Sequence, residues 1–171
     1  MPSFETLRPV PYRPDAMLEL VADVERYPQF LPLCESLKVL SRIRAADRAE
    51  VIVARMSVGY GPLRESFTSR ISIDRQANQI DVTHLDGPFR QLDNRWRFLP
   101  ARNGCEVAFF IAYEFRSLAL QILLGSMFDR VFRKFSEAFE MRARQIYGRP
   151  PAIEPADISI AASVQSLRSI P

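Results

Sequence analysis

The chain has 171 residues, 47% of them hydrophobic and 25% charged, with a formal net charge of +3. That is the make-up of one ordinary globular domain with room for a short tail, and the interspersed charges form no basic block of the kind that grips DNA. The start Met1-Pro2-Ser3-Phe4-Glu5 lacks the basic and apolar regions of a signal peptide, and the longest apolar stretch, around Leu118 to Leu124, is too short to span a bilayer. Cys34 and Cys105 make neither a metal-type spacing nor a disulfide framework, so a cytoplasmic protein is expected.

In chain order, Phe4 to Val10 reads as a first strand closed by Pro9 and Pro11. A short helix follows, with Pro14 in its first turn and Met17, Leu20, Val21 and Val24 on its apolar face. Pro28 and Pro32 then leave room for one or two helical turns, on a connector that carries the large apolar Phe30 and Leu31. From Ser36 the apolar period becomes two. Ile52, Ala54, Met56, Val58 and Tyr60 share one face of a strand, and Phe67, Ser69, Ile71 and Ile73 share a face of the next. A further strand holds Ile80 and Val82, and another holds Leu92, Asn94, Trp96 and Phe98. The turn Asn103-Gly104 leads into a last strand with Cys105, Val107, Phe109, Ile111, Tyr113 and Phe115 on one face.

Ser117 to Gly148 reads as one long helix. Ser117 is its N-cap, and Gly148 with Pro150 and Pro151 is its stop. Leu120, Leu124, Met127, Val131, Phe135, Ala138, Phe139 and Ile146 fall on one stripe, opposite a solvated face with Asp129, Arg133, Glu137, Glu140 and Arg144. A helix of about 30 residues is roughly 45 Å long, and its stripe needs a cover. The meander of antiparallel strands needs one for its apolar face. Each covers the other, which predicts an α+β fold: six to seven curved strands wrapped around a C-terminal helix. Residues 1–148 make up this domain, and 149–171, with no sustained period, read as a disordered tail.

Catalysis needs a nucleophile, a tuned acid or base, or a metal. His84 has no identifiable partner, and Cys34 reads as a small packed hydrophobe. No phosphate-cradling glycine loop or metal cluster is present in the pattern. The excess is aromatic: Met56, Phe67, Trp96, Phe98, Phe109, Tyr113, Phe128, Phe132 and Phe135 point between sheet and helix. Such residues either fill a core or wall a cavity, and the pattern alone does not choose. At the start of the long helix, Leu118 and Ile122 make it apolar all round, and Gly125 interrupts it. This lip either packs under a loop or opens to a ligand or a bilayer surface.

Several ordered segments carry a family resemblance. They are Pro11-Tyr12, Leu20 to Glu35 with its Tyr27-Pro28-Gln29-Phe30-Leu31-Pro32-Leu33-Cys34 core, Glu65 to Arg70, Asp86-Gly87-Pro88-Phe89, Trp96-Arg97-Phe98 and Ala138 to Ala143. Together they resemble the coenzyme Q-binding branch of the START-like (polyketide cyclase/dehydrase) superfamily, which includes bacterial proteins named ribosome association toxins. The resemblance covers residues of about 3 to 148. It implies a helix-grip fold, a lipid-sized cavity, and non-catalytic binding of an isoprenoid quinone such as ubiquinone in support of respiration, with no covalently bound cofactor. It also makes Tyr27, Pro28, Phe30, Leu31, Pro32 and Cys34 a cavity-mouth element. Peripheral contact with the inner membrane through Leu118–Gly125 is expected on this reading. The rival expectations are a ribosome-binding factor and a cyclase-type enzyme using polar groups such as Arg95 or His84 inside the cavity.

Overall fold

The computed structural model describes residues 1–149. Seven strands form one antiparallel sheet: β1 (Ser3–Val10), β2 (Cys34–Arg44), β3 (Ala49–Tyr60), β4 (Leu63–Asp74), β5 (Gln79–Asp86), β6 (Phe89–Ala101) and β7 (Gly104–Phe115). Their order across the sheet is β1-β7-β6-β5-β4-β3-β2, so β2 to β7 form a meander and β1 closes its far side on β7. The period-two faces come out as read. Ile52, Ala54, Ile71, Ile73, Ile80, Trp96, Phe98, Val107, Phe109 and Ile111 are all buried. Gly104 has φ +147°, and a Cβ there would lie 2.1 Å from the Val10 carbonyl oxygen, so the β6–β7 turn needs glycine.

Helix α1 (Pro14–Ala22) begins with proline and buries Met17, Leu18, Leu20 and Val21. A 3-10 helix, Val24–Gln29, carries Pro28 and leads into β2. The expected pair of short helices after the first strand is therefore present. At the α1 end, the Glu50 carboxylate is buried. It accepts from Arg42 Nη1 at 2.8 Å and from Arg75 Nη1 at 2.9 Å, and Arg75 in turn holds Glu19 of α1.

The single C-terminal helix is corrected to two. Helix α2 (Leu118–Gly125) is capped by the Ser117 side chain, which accepts from the Leu120 N–H. It ends at Gly125 and Ser126, where the Met127 N–H bonds to the Leu124 carbonyl in a tighter turn. Helix α3 (Phe128–Tyr147) then runs 20 residues, about 30 Å rather than 45. Glycine followed by serine is a weak helical pair, and packing on α2 is slight: Leu120 and Leu124 touch the core but no α2 residue is fully buried. The buried seam of α3 is Phe132, Ser136, Phe139 and Ala143. Ile146, expected on the stripe, is exposed, and Glu140, expected in solvent, is half-buried in an ion pair with Arg8 of β1. A stripe phased on Leu120 misses this seam, because Leu120 belongs to the other helix and so to another phase. Apart from Arg149, the residues read as a tail lie outside the described part of the chain.

Candidate functional site

Sheet and α3 do not close completely. Between them is a cavity of about 230 Å³, larger than the roughly 150 Å³ apolar cavity known to admit benzene. β3, β4, β6 and β7 form its floor and walls with Met56, Phe67, Trp96, Phe109 and Tyr113, and α3 roofs it with Phe128, Phe132 and Phe135. Tyr27 and Leu31, from the proline-bounded connector, close one side. The rings form a continuous chain: Tyr27–Phe139 at 5.4 Å, Phe139–Trp96 at 5.2 Å, Trp96–Phe109 at 4.6 Å, Phe109–Phe132 at 6.0 Å, Phe132–Phe128 at 5.2 Å and Phe128–Tyr113 at 4.6 Å. Edge, tilted and offset-stacked ring pairs of this kind are each favourable beyond the area they bury.

Two expected lining residues are elsewhere. Phe98 shares the inward face of β6 with Trp96, but it lies toward the end that α1 covers and is 1% exposed in solid core. Phe30 caps the 3-10 helix, packs edge-on to Tyr27 and Phe139, and lies under the Arg142 guanidinium, outside the cavity. The other ten candidates, Tyr27, Leu31, Met56, Phe67, Trp96, Phe109, Tyr113, Phe128, Phe132 and Phe135, all line it. Leu33, Tyr60, Asn94, Glu65 and Ser69 line it too and were not singled out from the sequence. Their signal was weak: each is one residue on an inward strand face or on the connector.

The cavity reaches the surface beside Tyr60, which is 48% exposed. A smaller pocket of about 170 Å³ adjoins it, sharing the lining residues Leu33, Tyr60, Met127 and Val131 and adding Pro32, Arg130 and Lys134. Helix α2 borders this mouth through Leu124. Its Leu118, Ile122 and Leu123 are 74%, 71% and 60% exposed, so the start of the helical region is an uncovered apolar lip.

Few polar groups face inward. The Asn94 amide donates to the Phe110 carbonyl at 2.9 Å, and its oxygen accepts from Trp96 Nε1 at 3.1 Å. The Tyr27 hydroxyl donates to the Val21 carbonyl, and burial raises its pKa, so it stays a neutral donor. The Ser69 hydroxyl is buried with no hydrogen-bond partner among the described residues, an arrangement worth about 1–3 kcal/mol of lost stability. Among the described lining residues Glu65 alone carries a charge, and it is half-buried. Arg95 pairs with Asp93 on the outer face, and His84 is not part of the lining. Burial pushes the Cys34 and Cys105 thiols up to about 11, so both are protonated and unreactive near neutrality. Among the described residues no cluster of His, Cys, Asp or Glu is arranged to hold a metal, and no helix is long and apolar enough to cross a membrane.

A curved antiparallel sheet closed by a C-terminal helix over an apolar cavity defines the helix-grip class of START-like folds. The chain belongs to the polyketide cyclase/dehydrase and lipid transport family, whose model matches residues 10–140. It is 32% identical over 149 residues to a ribosome association toxin RatA of Rickettsia prowazekii, covering 85% of this chain and 99% of that one. It is 34% identical to the mitochondrial coenzyme Q-binding protein COQ10 homolog B of Xenopus laevis, covering 90% of this chain but only 61% of the relative. An 18 kDa Caulobacter crescentus protein with a solution structure superposes with a TM-score of 0.73 at 36% identity, over 87% of this chain and all of that one. A Streptomyces aromatase/cyclase, ZhuI, shares the fold with a TM-score of 0.73 at 18% identity, over 85% and 95% of the two chains. The resemblance expected from the sequence is thus met, and it joins relatives of two different names.

Proposed function

We propose that the chain binds an isoprenoid quinone of the ubiquinone type in its internal cavity and carries it without transforming it. The observation that carries this reading is the open aromatic space between sheet and α3. A space of about 230 Å³ suits a substituted ring and the first part of a tail, with the remainder leaving by the mouth beside Tyr60 and α2. Burial of the tail stabilises the complex at about 25 cal/mol per Å² of apolar area. The name of the COQ10 relative supports a quinone, and the placement of His84 and Arg95 away from the lining supports a carrier rather than a cyclase. Native mass spectrometry of the protein purified from its own host, followed by lipid extraction, tests it. A co-purifying quinone is the expected result, and another lipid class or none from respiring cells counts against it.

The exposed Leu118, Ile122 and Leu123 suit insertion into the surface layer of a membrane, and Arg130 and Lys134 beside the mouth suit anionic headgroups. Sedimentation with anionic vesicles is expected to fall at least fivefold in the Leu118→Asp/Ile122→Asp double variant. Equal sedimentation of both proteins would remove this docking face.

A second reading is favoured by the RatA relative, which matches over nearly its full length. Binding to ribosomal subunits would weaken steeply with salt as counterions are displaced. Co-sedimentation with purified subunits at rising salt separates the two readings, because quinone binding in an apolar cavity is nearly indifferent to salt.

A further inference from the structure

Among the described cavity-lining residues, Ser69 carries the one fully buried side-chain polar atom without a hydrogen-bond partner. Ser69 is 5% exposed on β4, lies between Phe67 and Ile71 on the inward face, and lines the cavity with both. Buried hydroxyls nearly always have a partner, yet Ser69 Oγ has none among the described residues. Its cross-strand partners are Ala54 on β3 and His84 on β5, and neither gives its hydroxyl a hydrogen bond. Of the other polar groups in the lining, the Asn94 amide serves Phe110 and Trp96, and the Tyr27 hydroxyl serves Val21. The adjacent Thr68 is the contrast: its N–H donates to Asp86 Oδ1 at 2.9 Å, and its hydroxyl accepts from Arg55 Nη1 at 3.4 Å.

The ladder is also irregular at this point. Thr68 stands opposite Asp86 and Ser69 opposite His84, so Leu85 is an extra residue on β5. Bulges of this kind re-aim side chains and are common beside binding sites. A fully buried, unpartnered hydroxyl in an apolar wall fits a ligand that is mostly hydrocarbon but carries an oxygen where it meets β4.

We infer that Ser69 donates a hydrogen bond to a ring carbonyl oxygen of the ligand and so selects a quinone head over a plain hydrocarbon. This rests on the quinone reading above and fixes its orientation, with the ring inward and the tail toward the mouth. A hydroxyl can also accept, so by rotating it serves the hydroxyl of the reduced ring. The site then holds both redox forms, as a carrier requires.

Trp96, the chain's one tryptophan, lines the same cavity and reports occupancy by its fluorescence. The intact protein and its Ser69→Ala variant are titrated with decyl-ubiquinone and with decylbenzene, which has the same tail and no carbonyl. Loss of one hydrogen bond is expected to weaken quinone binding about three- to tenfold in Ser69→Ala and to leave decylbenzene within twofold. The ligand-free variant is expected to melt at the same temperature or a few degrees higher, because it sheds an unpaired hydroxyl. Ser69→Thr, which keeps a hydroxyl, is expected to restore the preference. If both ligands bind the wild type and Ser69→Ala binds quinone equally well, the inference falls and the cavity reading stands. If Ser69→Ala loses both affinities together with thermal stability, Ser69 is structural and the inference falls. If neither ligand binds the wild type, the cavity reading falls and takes this one with it.

Discussion

Replacing Glu50 with alanine is expected to cost about 3 kcal/mol of folding stability, the low end of the range for breaking a buried ion pair. The side chain is 1% exposed, and three arginines surround it: Arg42 at 2.8 Å, Arg75 at 2.9 Å and Arg44 at 3.7 Å. The low end applies because Arg42 and Arg75 remain 34% and 22% exposed, and Arg75 keeps Glu19, so the abandoned cations are partly solvated. In a domain of this size the loss corresponds to a fall in Tm of roughly 10 °C. Desolvation raises the Glu50 pKa, but hydrogen bonds from Arg75 and Arg42 outweigh it and hold the group below its ordinary value. The folded pKa therefore lies below the unfolded one. Its stabilising contribution is complete above about pH 4.5 and is lost as pH falls through the lower, folded value. Melting curves from pH 7 down to pH 3 check this. Glu50→Gln should lower Tm at pH 7 and flatten the acid limb, and a limb identical to wild type would show that other carboxylates control it.

Introducing Phe128→Asp is expected to weaken quinone binding more than tenfold, at least 1.4 kcal/mol, while the domain stays folded. Phe128 is half-buried, lines the cavity and lies 4.6 Å from Tyr113 and 5.2 Å from Phe132, so a carboxylate there meets the ligand in an apolar wall. The fold tolerates it because Phe128 opens α3, where an acidic residue interacts favourably with the helix N-terminus. Phe132→Asp is the wrong variant for this purpose: Phe132 is 4% exposed, and the charge would unfold the protein instead. Phe67→Asp tests the sheet wall independently. Unchanged Trp96 quenching by decyl-ubiquinone in a folded Phe128→Asp protein would place the ligand elsewhere.

The strands were legible because their period is strict. Along most of β3, β4, β6 and β7 alternate residues face inward, and turn residues such as Asn103-Gly104 mark the reversals. The helical region was harder. A single period carried across Gly125-Ser126 loses phase at the break, so it includes Ile146 and omits Ser136. The cavity wall was legible as a face but not as an extent. Period two cannot say where along β6 the space ends and solid core begins: Trp96 lines the cavity and Phe98, on the same face, does not. Phe30 shows a different limit: its edge-on packing against Tyr27 and Phe139 depends on how a 3-10 turn meets α3, a tertiary fact absent from local pattern. Ser69 sat on the correct face from the start, and only the missing partner gave it meaning.

The C-terminal helix is fastened at one end. Tyr147 donates to the Ala16 carbonyl at 2.8 Å, Tyr12 donates to the Gly148 carbonyl at 2.8 Å, and Arg142 reaches Gln29 at 3.0 Å. At the other end, the tertiary polar tie of α2 among the described residues is Gln121, which accepts from the Phe115 N–H at 3.2 Å. The two ends of the roof are therefore unequally held. Lifting α2 with the first turn of α3 breaks that bond and the Phe128 ring contacts but leaves Phe132 and the sheet in place, so guest exchange can proceed by a local opening below the cost of global unfolding. Amide protons along the two helices should record it as a gradient, exchanging fastest near Leu118 and slowest near Ala143.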